Sequence, residues 1–241
     1  MHTDINLKSR KKESWRVFDQ IAPTYDHINH VISMGVDHFW RRNFRTLLPN
    51  KNELVCLDLA TGTADVVLEL ARDARVKHID GTDMSAGMIE LGKQKVVKSE
   101  FADKISLSVG DGVHIPAKPS SYDVISVAFG IRNFGDYKTS LQNMVRVLKP
   151  GGQAMILEFS LPKNRVFRFI YLFYFRNVLP KIGNALSGHK DAYTYLNRTV
   201  EDFPYGDAFC DEMHKAGFGK VSAKVLSFGI ATLYIGVKPK K

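Results

Sequence analysis

The feature that most constrains this chain is a strict alternation, between residues 53 and 160, of short apolar runs with amphipathic stretches. Glu53–Leu59, Val76–Asp83, Lys104–Val109, Tyr122–Phe129 and Gln153–Phe159 have the length and the Val/Ile/Leu content of buried strands. Helical periodicity fills the gaps at 65–73, from Ser85 to about Val97, and at 137–148, with Ser85 placed to cap the second helix. The third is expected to stop at Pro150-Gly151-Gly152. Strands separated by helices run parallel, because each crossover returns the chain to the same edge. A further helix near 207–216 ends at Gly217, and two last runs at 218–226 and 230–237 lie too close for a crossover. They are expected to pair as a hairpin. The expectation is therefore an α/β fold: a doubly wound, mostly parallel, seven-stranded Rossmann-like sheet with an antiparallel C-terminal hairpin.

Segments flanking this core are helical in pattern. Trp15, Phe18, Ile21, Ala22, Tyr25 and Ile28 recur at three- and four-residue steps over 14–30, and Pro23 is expected to interrupt that helix. A second helix is expected at 37–48. Residues 163–187 break the alternation with an aromatic-rich, helical insertion. At 241 residues the chain suits one domain. Residues 1–50 would form a helical cap, 53–160 a cofactor-binding core, 163–205 a helical substrate insertion, and 206–238 a closing helix and strands.

In a doubly wound sheet ligands bind beyond the carboxyl ends of the strands, where the strand order reverses. There the first strand gives Leu57-Asp58-Leu59-Ala60-Thr61-Gly62-Thr63-Ala64-Asp65, and the second ends at Asp83. A carboxylate accepts at two oxygens, so Asp83 suits the two hydroxyls of a ribose. A dinucleotide would want glycine at the positions held by Ala64 and Val67, and its pyrophosphate would meet Asp58 and Asp65. One like-charge contact costs about 4 kcal/mol at intermediate dielectric. S-adenosylmethionine carries a sulfonium and an ammonium, and acidic residues attract both. The loop also reads as a tight strand–helix turn capped by Asp65. In Gly110-Asp111-Gly112, Asp111 suits an adenine amino group and the Gly112 N–H a ring nitrogen; the same triplet reads equally as an ordinary Asp-Gly turn.

The formal net charge of +9 raises nucleic acid as a ligand, but the charge is concentrated at the ends. Lys8, Arg10, Lys11 and Lys12 open the chain and Lys238, Lys240 and Lys241 close it, which leaves the body close to neutral. No nucleic-acid partner is expected. Cys56 and Cys210 are far apart, so no metal site is expected and a reducing compartment is. Met1–Ser14 is polar, and the apolar run Phe169–Phe175 is too short to span a bilayer. A cytoplasmic protein, peripheral at the inner face of the membrane at most, is the expectation.

Several segments together resemble the C-methyltransferases of ubiquinone and menaquinone biosynthesis. They are Phe18-Asp19-Gln20-Ile21-Ala22, Tyr25-Asp26-His27-Ile28-Asn29, Ser33-Met34-Gly35, Trp40-Arg41, Phe129-Gly130-Ile131-Arg132-Asn133 and Arg146–Gly152. Glu158-Phe159-Ser160, Tyr193-Thr194-Tyr195-Leu196, Phe203-Pro204, Ala216-Gly217-Phe218 and Gly229-Ile230-Ala231 extend the match to nearly the whole chain. Asp37, Ala64, Ala128 and Tyr234 stand where that family more often has His, Gly, Ser and His. The resemblance implies a class I methyltransferase that uses S-adenosylmethionine as cofactor and a prenylated quinol as substrate. The acceptor would be demethylmenaquinol, the ubiquinone-pathway benzoquinol, or both. Thr63, Asp83, Asp111 and Gly112 would contact the cofactor first, with Asp58, Gly62 and Ala128 completing the set.

The acceptor's ring carbon becomes nucleophilic when its phenol, titrating near 10, loses a proton. Arg132, just past the fourth strand, is the candidate to stabilise that phenolate or hold a water; a structural salt bridge is the other reading. Tyr25 and Asp26 on the entry helix are the further catalytic candidates, against helix packing with an exposed Asp. Phe167, Phe169, Tyr171, Phe173, Tyr174 and Phe175, edged by Arg165, Arg168, Arg176 and Lys181, are read as a wall for the prenyl tail and a peripheral membrane contact. Core packing or a homodimer contact is the alternative. Methylation of another small molecule or of RNA, a nicotinamide-dependent oxidoreductase, and a non-catalytic cofactor binder are the competing functions.

Overall fold

The computed structural model describes residues 14–33, 35–179, 181 and 199–240. Among them, β1 (Leu54–Leu59), β2 (Val76–Asp83), β3 (Ile105–Val109), β4 (Tyr122–Ala128), β5 (Leu148–Phe159), β6 (Lys220–Leu226) and β7 (Ala231–Val237) form one sheet. Its order is β3-β2-β1-β4-β5-β7-β6. The first five pair in parallel and β7 runs antiparallel to both β5 and β6, as the spacing of apolar runs predicted.

Both faces of the central strands are covered, which is why they read as continuous apolar runs. Alternate residues divide between two layers. Cys56, Val124, Met155 and Leu233 pack with Trp40, Phe44, Val67 and Val96 on one face. Those last four belong to α2 (Val36–Thr46), α3 (Asp65–Ala71) and α4 (Ala86–Val97). On the other face Leu57, Ile125, Ile156 and Tyr234 meet Leu141, Met144, Phe209 and Met213. These come from α5 (Tyr137–Val147) and from the helix Asp207–Ala216. The Ser85 hydroxyl caps α4 by accepting from the Met88 N–H at 3.1 Å.

Two sequence expectations are corrected. Pro23 does not split the first helix: α1 runs from Ser14 to Ile32 with Pro23 inside it. Ile21 and Ala22 before the kink position and Ile28 after it are all buried, and this burial outweighs the roughly 3 kcal/mol a mid-helix proline costs. Pro150-Gly151-Gly152 does not separate α5 from β5 as a loop. The strand already begins at Leu148, and its register with β4 shifts between Tyr122 and Val124. Gly151 takes φ +78°, and a Cβ on Gly152 would lie 2.9 Å from the Lys149 carbonyl and 3.0 Å from that of Asp123. The glycines therefore make a bulged strand start.

The insertion begins with α6 (Arg165–Phe173), capped by Asn164, and continues as a π-helical turn over Tyr174–Val178. Tyr171, Phe175 and Leu179 point inward onto Ile28, Leu161 and Val200. Among the described residues no helix is long and apolar enough to cross a membrane. Met34, the basic residues 8–12, Lys241 and Tyr193–Leu196 lie outside the described residues.

Candidate cofactor and acceptor site

The chain leaves β1 outward to β2 and β3, then crosses back to place β4 on the other side of β1. A cavity of about 490 Å³ opens beyond this switch point. Its floor is Ala60, Gly62, Asp83 and Met84; Gly110–Val113 close one side and Ala128–Gly130 with Asn133 and Phe134 the other. Trp15, Phe18 and Tyr25 of α1 roof it.

The backbone at this edge is strained where the cavity needs it. Ala60, Ala64 and Phe129 hold φ of +52°, +75° and +57°, in the left-handed region that non-glycine residues avoid. Ala64 thus adopts the conformation that a glycine would hold at lower cost. A Cβ built on Gly62, at φ +56°, would meet nothing within 4 Å, so the turn after β1 faces open space.

Asp83 is anchored through both oxygens: the N–H groups of Gly62 and Ser85 each donate to it at 2.9 Å. Burial pushes its carboxyl above the usual range, and the backbone donors oppose that rise. Each oxygen retains acceptor capacity toward the cavity. Asp111 accepts from the Val113 N–H at 2.8 Å and contacts His114 Nδ1 at 2.9 Å. The Asp-Gly turn and the cavity wall are therefore one structure. Gly112 has no room for a side chain, since a Cβ would lie 2.4 Å from the Phe134 ring. Ala128 lines the wall beside it.

Asp58 and Thr63 are not in the lining. Asp58 is buried beneath the loop, where the Ser126 hydroxyl donates to it at 2.5 Å. Burial pushes its carboxyl up to about 7, with Ser126 holding it back. The Thr63 hydroxyl donates to Asp26 at 2.6 Å and accepts from Lys95 Nζ at 3.0 Å. Lys95 also pairs with Asp26 at 2.5 Å and Asp65 at 2.8 Å. The structure thus brings Asp26 to the loop and α4, away from the cavity. Asp65 caps nothing; its charge is met by Lys95 and, at 3.7 Å, by Arg41. The acidic residues in the cavity lining are Asp83, Asp111 and Asp136, the last of which also caps α5.

Asp19, which the sequence reading did not single out, makes a second latch. It accepts from the Ser85 hydroxyl at 2.6 Å and the Gly87 N–H at 2.8 Å. These two bonds hold its carboxyl below the ordinary range. A signal was present: Asp19 and Asp26, like Phe18 and Tyr25, are seven residues apart and so share a helix face.

Tyr25 does line the cavity. Burial raises its phenol, and the charges of Arg41 and Arg132 oppose the rise. Arg132 is itself buried and paired with Glu158, Nη1 to Oε1 at 2.5 Å, and the same nitrogen donates to the Phe129 carbonyl at 2.6 Å. Its guanidinium lies 5.3 Å from the Phe159 ring centroid, and Nε is buried with no hydrogen-bond partner. The structural salt-bridge reading therefore holds in part, in the interior and not at the surface, while one donor remains uncommitted. Burial raises the Glu158 carboxyl and Arg132 counters it. Nothing in the local sequence around Glu158 signals this pairing.

Among the described residues one group, His30, Asp37 and His38, brings three metal-ligand atoms within 4.8 Å. The two imidazoles stack at 4.2 Å with planes 24° apart, so no ion can lie in both ring planes. Asp37 is already engaged by Ser33, His30 and Arg41. The cluster is a carboxylate clamp that joins the end of α1 to α2.

Comparison with known proteins identifies the family. The profile of the ubiE/COQ5 methyltransferase family matches residues 5–238. A ubiquinone/menaquinone biosynthesis C-methyltransferase of Geotalea daltonii is 44% identical over 97% of this chain and 100% of its own length. A demethylmenaquinone methyltransferase of Bacteroides fragilis is 38% identical over 98% of this chain and 96% of its own. Among solved structures, a putative S-adenosylmethionine-dependent methyltransferase of Methanococcus maripaludis superposes with a TM-score of 0.65 at 18% identity, covering 93% of this chain and 95% of its own. At that identity the likeness concerns the fold.

Proposed function

The chain belongs to the ubiE/COQ5 methyltransferase family, and on that premise we propose that it transfers a methyl group from S-adenosylmethionine to a ring carbon of a prenylated quinol. The observation that carries this reading is the cavity at the switch point, which couples acidic walls to an apolar roof. Asp83 would accept from the ribose hydroxyls with the two oxygens that Gly62 and Ser85 hold in place. Asp111 and the Gly112 N–H would take the adenine, and Phe134 would flank it. Bound there, S-adenosylmethionine supplies an electrophilic methyl on a sulfonium. No phosphate group is needed, and Asp83 and Asp111 would repel one.

The residues fit that ligand on their own geometry. Gly62 leaves open space, and the glycine at 112 is required because Phe134 occupies the volume of a side chain. Asp58, beneath the floor, tightens β1 against β4 through Ser126 and adds negative potential when ionised. Thr63 and Asp26 fasten α1 over the site, where it would limit the access of water to a bound cofactor.

Arg132 does not itself line the cavity; it is buried and held in a fixed position against Glu158 and the carbonyl of Phe129, a wall residue. Its positive charge, which is felt by Tyr25 in the cavity lining, would favour loss of the phenol proton from an acceptor bound there. Tyr25 would orient the same ring from the roof. The aromatic side chains of the insertion that pack on Ile28 and Leu161 are buried and line no part of this cavity, so they would support α1 from behind. The test is to incubate the protein with methyl-labelled S-adenosylmethionine and, separately, a demethylmenaquinol and the ubiquinone-pathway benzoquinol, and to identify products by mass. Label on a ring carbon of either acceptor supports the reading; label on oxygen, or on neither, overturns it.

A further inference from the structure

Helix α6 carries its apolar stripe on the wrong side for a helix of the core. Val166, Phe169, Ile170 and Phe173 fall at i, i+3, i+4 and i+7 and are between 58% and 73% exposed. The opposite side of the same helix already packs inward through Tyr171. A second element joins the exposed face. Phe228, in the turn between β6 and β7, is 87% exposed. It holds φ +56°, a left-handed conformation that costs about 1 kcal/mol or more in a residue with a side chain. Phe167 at the start of α6 meets it ring to ring at 5.7 Å. The turn therefore spends strain to present a phenylalanine beside the exposed stripe, and among the described residues nothing covers either.

Charge decides what could cover them. From Ser160 to Lys190 the sequence has no Asp or Glu and six Lys or Arg. Lys163, Arg165 and Arg168 lie exposed around the N-terminal half of α6. One carboxylate from outside the segment, Glu201, reaches it and is taken up by Arg176 at 2.5 Å, which leaves the rim cationic; a second copy related by a two-fold axis would set that rim against itself. An anionic lipid surface matches both parts: acyl chains for the stripe and headgroup phosphates for the rim.

We propose that α6 and Phe228 form the face by which this protein docks on an anionic phospholipid leaflet. Apolar side chains enter the acyl boundary while Lys163, Arg165 and Arg168 reach the headgroups. This goes beyond the methyl-transfer reading, and it is tested without turnover, so either can fail alone.

The test is co-sedimentation of the full chain with vesicles of neutral phospholipid and of an equal neutral–anionic mixture. The protein is expected to partition onto the anionic vesicles and far less onto the neutral ones, with binding weakened by about 0.5 M salt. A Phe169→Ser, Ile170→Ser, Phe173→Ser variant is expected to bind roughly tenfold or more weakly. All three side chains are exposed, so its thermal midpoint and its affinity for S-adenosylhomocysteine should match those of the parent. A second variant, Phe228→Gly, relieves the backbone strain and should raise stability while lowering vesicle binding. Equal partitioning of parent and variants, or no partitioning at all, overturns the proposal. So does a parent that is dimeric in sedimentation velocity and becomes monomeric on the triple substitution, which would assign the face to a second copy.

Discussion

Replacing Glu158 by alanine would leave Arg132 charged, buried and without its carboxylate. Arg132 and Glu158 are 3% and 1% exposed, and Nη1 reaches Oε1 at 2.5 Å. Removal of one partner from such a pair costs roughly 3–5 kcal/mol, because the remaining charge cannot be rehydrated. In a chain of this length each kcal/mol shifts the thermal midpoint by about 2–4 °C, so Glu158→Ala should lower it by roughly 6–20 °C. The double variant Arg132→Met, Glu158→Leu removes both charges and keeps apolar volume. Its remaining cost is two backbone groups: the Phe129 carbonyl loses the donor it now has at 2.6 Å and the Phe159 N–H, as in Glu158→Ala, the acceptor it now has at 2.8 Å, each worth about 1–3 kcal/mol. The double variant should therefore be more stable than Glu158→Ala. Urea unfolding of the parent, Arg132→Met, Glu158→Leu and the double variant closes the cycle, with Glu158→Ala measured beside it. A cost below about 1 kcal/mol for Glu158→Ala, or a double variant whose loss equals the sum of the singles, would refute the view that these two groups act as one buried unit.

Three other outcomes follow from the site. Asp83→Asn should weaken S-adenosylhomocysteine binding by roughly 10–100-fold in titration calorimetry, from the loss of about 1.5–3 kcal/mol of charge-assisted bonding; affinity within a factor of about two would remove Asp83 from the ribose site. Asp58, raised from 3.8 to about 7, binds its proton more tightly folded than unfolded. The stability it contributes is full below pH 3.8 and is lost as pH rises through about 7, on the order of 4 kcal/mol in all. Asp58→Asn should flatten the dependence of the urea midpoint across that window, and an unchanged slope would contradict the burial assigned to it. Asp19→Asn should loosen α1: amide exchange over 14–32 should quicken by about tenfold while β1 and β4 stay protected, and equal protection throughout would show that the latch is not made.

The sheet was legible because strand and crossover periodicities differ, and residues such as Cys56, Leu57, Val124 and Ile125 obey both faces of a buried strand. Asp83 and Gly112 were legible for the same reason: topology alone puts the ends of β2 and β3 at the switch point. What the sequence hid was pairing across distance. Asp26 looked like an acceptor-site acid because it follows Tyr25, yet one helical step of about 100° turns it toward Thr63 and Lys95. Arg132 and Glu158 are 26 residues apart, and only the β4–β5 neighbourhood joins them. Pro23 misled for a different reason: local propensity is weaker than the burial of Ile21, Ala22 and Ile28.

Equilibrium binding of the cofactor class is the most direct check on this account. Titration calorimetry of the full chain should give saturable one-to-one binding for S-adenosylhomocysteine and no measurable heat for NADH at the same concentrations. Tight binding of NADH with none of S-adenosylhomocysteine would contradict it, because the acidic cavity beyond β1 and β2 would then hold a pyrophosphate.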